Sequence, residues 1–351
     1  MTLSQISLIF IGILVLLEVL YRVASRLNES PSGQEILVAH TNARYEPYEL
    51  VSRLEAVTKE SGIHSAFWEE MQVSMKNQLF ATATETTDGL IYDSADYEGQ
   101  YFSTVYGLRT TTDQPTKYDK TVGLFGGSTI YCYETEDSHT VSSHLQRLLK
   151  ERQPNTVVRN YGVAGAGAIE RCRKIRHVVS SFSKSDQIVL LFGDNDCGWV
   201  NYRECMPRKI AAGLKISKIW RSIELWVLKS ESKFAHTHSA LAARHTLEEI
   251  VLTQRVCSQN NVKFTAILQP NIYTKKELGS YELAVVRVFG SRHRKMILSA
   301  YEIYRSSSAS FIVNAEAGFD NFIPSVFLDW AHVESRGNLR IAEVMALAIF
   351  R

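Results

Sequence analysis

The sequence predicts an α/β chain in which helices cover both faces of a parallel sheet. Five short apolar runs have the length of buried strands: Val122–Phe125, Val157–Tyr161, Ile188–Phe192, Phe264–Leu268 and Phe311–Val313. Helical periods separate the first three runs, and strand–helix alternation of this kind builds parallel sheets. The first three runs also end in turns bearing Gly, Asn or Asp, which is where open α/β sheets place their chemistry.

Taken in order, the chain opens on its most apolar segment. Ile6–Tyr21 (ISLIFIGILVLLEVLY) is interrupted by Ser7 and Glu18, and with Thr2–Gln5 it approaches the roughly 20 residues that span a bilayer. No basic residue precedes it and no small-x-small site follows, so residues 1–22 are expected to be an uncleaved transmembrane helix rather than a signal peptide. Arg22 and Arg26 follow the segment, and this charge bias alone favours a cytoplasmic main domain. Residues 23–120 are polar and mixed, with an amphipathic patch near Phe67–Phe80, and are expected to pack on the main domain as a juxtamembrane segment without visible chemistry.

From Thr121 the strand–helix alternation begins. Val141, Leu145, Leu148 and Leu149 share one helical face, as do Ile169, Cys172, Ile175 and Val179. Further helices are expected over about 240–258, 281–304 and 339–350. An insertion at about 197–239 breaks the alternation: Leu214, Ile216, Ile219, Trp220, Ile223, Trp226 and Val227 recur at helical spacing, interleaved with Arg208, Lys209, Lys215, Lys218, Arg221, Lys229 and Lys233. Two readings of it stay open. One is a helix packed on the domain with a solvated basic face; the other is a lid or interfacial helix held against anionic headgroups.

Composition narrows the partners. Lys plus Arg (39) nearly balances Asp plus Glu (37), so no global field favours nucleic acid. The five cysteines form neither a disulfide framework nor a paired metal pattern. His236 and His238 lack an accompanying cluster of ligands, so no metal and no cofactor is expected. RNYGVAGAG lacks the order of a phosphate-binding loop. Gln269-Pro270 reads as a strand stop that can also shape a pocket wall.

The chemistry concentrates at four strand ends. In TVGLFGGSTIY, a buried strand runs into Gly126-Gly127 and then Ser128, and the glycines are expected to supply the unusual dihedrals of a tight turn. A serine hydroxyl needs a base, and His332 can serve. Asp329, three residues earlier, can orient that imidazole and stabilise its charged form. The Ser128 and Gly165 backbone N–H groups and the Asn195 side-chain amide are candidate donors to a developing oxyanion. Taken singly, each feature has an ordinary structural reading: a Gly-Gly-Ser turn, a surface histidine, a helix-capping Asn195, and Asp196 as a brace. Jointly, in this order, they make an active site.

The blocks LFGGSTIY, RNYGVAGAG, FGDND and DWAHVESRGN resemble the four signature blocks of the SGNH (GDSL-type) hydrolase superfamily, over about Thr121 to the C-terminus. The resemblance implies a three-layer α/β/α domain over 121–351 with a flavodoxin-like sheet order. By motif position Ser128 matches the nucleophile, Asp329 and His332 the rest of the triad, and Ser128, Gly165 and Asn195 the oxyanion donors. Gly165 is preferred to Gly162 because the family glycine lies five residues after the block's asparagine, here Asn160. Gly127 stands where many members have Asp. Such GGS variants resemble a membrane-anchored branch associated with envelope polysaccharide, in which an apolar anchor followed by Glu and Arg, here Glu18 and Arg22, recurs. The implied activity is a serine esterase acting on small acyl esters, including O-acetyl groups of a cell-envelope glycan. The alternatives are an O-acyltransferase using the same triad and a non-catalytic module that binds glycan or assembles its export machinery. An envelope substrate favours an extracytoplasmic domain, against the charge bias after the anchor.

Overall fold

The computed structural model describes Phe67, Glu70 and residues 82–197, 232–320, 322 and 325–350. Residues Ala56–Tyr202 and His236–Arg351 belong to one compact unit; of the other unit, Met1–Glu55 with Arg203–Ala235, the described residues include 232–235. The expected anchor at Ile6–Tyr21 and most of the expected insertion lie outside the described residues. Among the described residues, no helix is long and apolar enough to cross a membrane.

Ten strands are described: β1 Thr82–Thr86, β2 Gly89–Asp93, β3 Tyr97–Glu98, β4 Ser103–Val105, β5 Leu108–Arg109, β6 Lys120–Gly126, β7 Thr156–Gly162, β8 Gln187–Phe192, β9 Lys263–Leu268 and β10 Ile312–Asn314. The helices are α1 Ser128–Tyr131, α2 Val141–Lys150, α3 Ala168–Val178, α4 Ser232–Gln259, α5 Ser280–Arg305 and α6 Ser335–Phe350, with short 3-10 turns between them. β1 and β2 form a separate antiparallel hairpin, while the main sheet runs β10-β9-β8-β6-β7-β5-β4-β3.

Five strands of this sheet, β6 to β10, are parallel, in the order β7-β6-β8-β9-β10. The chain leaves β6 for β7 on one side and then crosses to β8 on the other. Turns after β6 and β8 therefore open at the switch point of a flavodoxin-like order. All six residues of β8 are buried. Successive strand side chains point to opposite faces, so both faces are covered. α2 packs against α6, and Arg176 of α3 reaches Glu249 of α4 at 2.9 Å. The Asp186 carboxylate fixes the entry to the sheet, accepting the N–H groups of Thr121 and Ser183, both at 2.6 Å.

The change of pattern at Thr121 does not mark the edge of the sheet. Residues 97–109 add three antiparallel strands to it, through the pairing of Arg109 with Asn160. Buried Arg109 donates to the carbonyls of Tyr131 (3.1 Å), Ser103 (3.3 Å) and Thr135 (2.9 Å), pairs with Asp137, and lies 3.9 Å over the Phe102 ring. Burial pulls its guanidinium down to about 10. This segment thus holds the loop that follows α1. Three short strands with mixed polarity carry little periodicity, and so the sequence shows only a polar stretch there.

Candidate active site

The turn after β6 is built by close packing. Gly127 precedes α1, and its carbonyl accepts the N–H groups of Ile130 and Tyr131 at 3.1 Å. Cys132, in the left-handed region at φ 55°, ends the helix and donates its N–H to Ser128 O at 2.7 Å. The expectation of unusual dihedrals at the glycines is corrected here: Gly127 sits at φ −81°, open to any residue. Its lack of a side chain serves another purpose. A Cβ at Gly127 would lie 2.6 Å from Asn195 Nδ2 and 2.7 Å from Ala166 O, and one at Gly126 would lie 2.5 Å from Ile130 Cγ1. A side chain at 127 would require the Asn195 amide or the Ala166 carbonyl to shift.

Ser128, Asp329 and His332 meet although the serine is distant in sequence from the other two. His332 Nε2 lies 2.6 Å from Ser128 Oγ, and His332 Nδ1 lies 2.6 Å from Asp329 Oδ2. The other oxygen of Asp329 accepts the N–H groups of Ala331 and His332, each at 2.8 Å. That leaves Oδ2 for the imidazole and sets Nδ1 as the nitrogen carrying a proton. All three residues are buried, each 9% exposed, so water screens the arrangement little.

Of the oxyanion candidates, Asn195 starts the 3-10 turn after β8, and its Nδ2 donates to Ala166 O at 2.9 Å beside Gly127. Gly165 follows β7 at φ +77°, a left-handed position that favours glycine, with nothing within 4 Å of the place a Cβ would occupy. Asp196 braces the turns, accepting Ala168 N–H at 2.5 Å and Gly193 N–H at 2.8 Å. It supplies the cap that α3 lacks locally, since Gly167 has no side chain. Asn160 is equally structural: its amide donates to Ile130 O at 2.7 Å and Ser142 Oγ at 3.1 Å.

The electrostatics are set by carboxyls around one imidazole. Burial disfavours the charged His332, but Asp329, helped by Glu134 and Asp194, outweighs it and lifts the imidazole to about 9. Burial likewise works against the Asp329 carboxylate, yet His332 and the backbone donors hold it below the usual carboxylate range. Glu134 and Asp194 are different. Burial pushes each up to about 7. Neither oxygen of Glu134 has a hydrogen-bond partner. Asp194 receives Asn271 Nδ2 at 2.7 Å and the indole N–H of Trp330, the residue after Asp329.

Sequence reasoning missed Glu134, Asp194 and Tyr133, whose ring meets that of His332 edge-on at 4.9 Å. Glu134 sits in a polar run, and nothing in the spacing marks it as buried. Gln269 shapes the floor beside the serine turn, its Oε1 accepting Thr129 Oγ1–H at 3.2 Å. Among the described residues no group of three or more His, Cys, Asp or Glu side chains could hold a metal ion. The side chains of His236 and His238 lie outside the described residues.

No family model and no curated protein matches the sequence. Solved structures similar to this chain include a carbohydrate acetylesterase family member from Sinorhizobium meliloti, at 13% identity and a TM-score of 0.40, covering 66% of this chain and 97% of that one. Another is a member of the lipolytic protein G-D-S-L family from Veillonella parvula, at 15% identity and 0.34, covering 66% and 97%. A third is an α/β hydrolase from the metagenome of Lake Arreo, at 14% identity and 0.37, covering 66% and 95%. At such scores these likenesses carry no functional argument, and the reading rests on the motif blocks and on the geometry of Ser128, His332 and Asp329.

Proposed function

We propose that this chain is an SGNH-type serine esterase that works through an acyl-enzyme at Ser128. One observation carries the reading: a buried, continuous hydrogen-bonded line from Ser128 Oγ through His332 to Asp329, with 2.6 Å at both steps. Neutral His332 Nε2 takes the serine proton as Oγ attacks an ester carbonyl. Asp329 stabilises the imidazolium. The Ser128 N–H, Gly165 N–H and Asn195 Nδ2–H receive the oxyanion, a contribution worth on the order of 100-fold or more in rate per donor. Imidazolium then protonates the leaving alcohol, the C–O bond breaks, and water, deprotonated by the same imidazole, releases the acid and restores Ser128.

The substrate reading follows the motif resemblance: small acyl esters, including O-acetyl groups on an envelope glycan, met by a domain held outside the cytoplasm through Ile6–Tyr21. The basic, Trp-bearing insertion is proposed to touch the membrane surface. A hydroxyl acceptor in place of water would make the same site an O-acyltransferase; acetyl transfer to added glycan, measured against acetate release, separates the two. Hydrolysis of an acetyl ester by the purified chain, lost in Ser128→Ala, tests the core claim. Folded wild-type protein without ester turnover or covalent labelling would instead favour a glycan-binding or assembly role.

A further inference from the structure

Asp329 and His332 lie outside the sheet, on a segment whose own backbone bonds form a small hairpin. Phe327 bridges Val333, Leu328 N–H donates to His332 O at 2.8 Å, and Glu334 N–H donates to Val326 O at 2.9 Å. The tip of this hairpin carries the base and its carboxylate. The tip is tied to the ends of sheet strands, where Ile272 N–H donates to Trp330 O at 3.0 Å and Asp194 receives the Trp330 indole N–H, while the strand that leads into it is held by the first turn of α5.

Glu282, in that turn, is fully buried, and N–H groups from three directions converge on its carboxylate. Oε1 accepts Val326 N–H at 2.9 Å and Phe327 N–H at 3.2 Å, and Oε2 accepts Gly279 N–H at 3.0 Å. Lys275 Nζ bridges both oxygens at 3.0 and 2.8 Å, and both side chains of this ion pair are at 0% exposure. Next to it, Tyr281 donates its hydroxyl to Leu328 O at 2.6 Å. Gly279 comes so close to the start of the hairpin that a Cβ there would lie 2.0 Å from Ser325 Oγ. Every hairpin residue from 325 to 328 is thus tied to or packed on one helix start.

A buried ion pair is weak evidence for stability, because desolvating both charges offsets most of their attraction. A charged acceptor can nevertheless bind several N–H donors at fixed geometry, more strongly than a neutral one. We propose that Glu282, neutralised by Lys275, is a positioning residue: it clamps Val326 and Phe327 and thereby sets His332 against Ser128. The inference rests on the esterase reading above, and it gives the buried charge pair a role beyond satisfying the N–H groups of Gly279, Val326 and Phe327. Its effect is mechanical. A misplacement on the order of 1 Å at the reacting groups costs about 100-fold in rate.

The test removes both charges, so that no lone charge is buried. In the full chain, Lys275→Met/Glu282→Gln keeps one side-chain oxygen for Val326 and Phe327, and Lys275→Met/Glu282→Leu keeps none. With rates normalised to sites labelled by a fluorophosphonate, kcat for a small acetyl ester is expected to fall about 100-fold in the Leu variant and about 10-fold in the Gln variant, with KM nearly unchanged. The acid limb of the pH profile is expected to move down, as His332 loosens from Asp329 while Glu134 and Asp194 stay. A downfield proton resonance from His332 Nδ1–H, present in wild type, is expected to weaken or vanish in the Leu variant. If the Leu variant does not fold, the Gln variant decides by the same readouts. Unchanged kcat and an unchanged acid limb in a folded variant would overturn the proposal. Wild type that shows the downfield proton yet neither labels nor turns over ester would overturn the esterase reading instead, and the resonance would still report on the clamp.

Discussion

The two halves of the candidate site are held in different ways. Ser128 is delivered by β6, a strand in the middle of the parallel sheet, and its turn is shaped by backbone packing: Gly126 against Ile130, Gly127 against Asn195 and Ala166, and Val163 N–H on Gly126 O at 3.1 Å. His332 and Asp329 stand on a hairpin beyond the last strand, tied down by side chains: Glu282, Tyr281 and, through Trp330, Asp194. The nucleophile side tolerates no added atoms. The base side is close-packed too, with a Cβ at Gly279 lying 2.0 Å from Ser325 Oγ, but it depends in addition on buried charge. Mutations should therefore fail by different routes on the two sides.

The largest effect is expected from Asp329→Asn. With the His332 tautomer no longer fixed, kcat should fall by on the order of 10,000-fold. Because catalysis needs neutral His332, wild-type activity should rise with pH through about 9, and the acid limb should drop in this variant, where burial acts without the opposing carboxylate. Stability carries its own sign. The raised His332 contributes fully below the ordinary imidazole value and loses that contribution as pH climbs through about 9, while the lowered Asp329 loses its share in acid. Thermal melts of wild type and variant should differ most between those limits.

Gly127→Ala comes next. The added Cβ must displace the Asn195 amide or the Ala166 carbonyl, and the loss of one oxyanion donor predicts a fall of about 100-fold in kcat with little change in melting temperature. A variant as active as wild type would contradict displacement of the Asn195 amide, and Asn195→Ala would then test the oxyanion role by itself. Arg109→Met should act oppositely: it strands the carbonyls of Tyr131, Ser103 and Thr135 and destabilises the fold by about 3–5 kcal/mol in urea titrations. Activity per folded molecule should change less.

The smallest effect is expected from Glu134→Gln. Glu134 is an acid with a raised folded value, so it binds its proton more tightly when folded, and stability falls as pH rises from about 4.5 to about 7. Gln should flatten that decline and lower the acid limb slightly, with KM unchanged.

This contrast also explains what could be read from the sequence. The strands of the parallel sheet were legible as apolar runs, mostly buried in β6 to β9 and half-buried in β10, and the order of Ser128, Asn195, Asp329 and His332 stood out as a motif. The glycines were visible, but their reason was not: close approach of Asn195 to Gly127 is a tertiary fact, and no local dihedral rule reveals it. Glu282 and Lys275, seven residues apart, carry no signal in the sequence that sets them apart from other charged residues, and neither do Arg109 and Glu134. Their burial depends on partners more than 20 residues away, which no periodicity records.

The most direct measurement is intact-mass analysis after a fluorophosphonate is added to folded wild type and to Ser128→Ala. The account predicts a single phosphonyl adduct on wild type, mapped to Ser128, and none on the variant. An unmodified wild type, or an adduct that persists in Ser128→Ala, would contradict it.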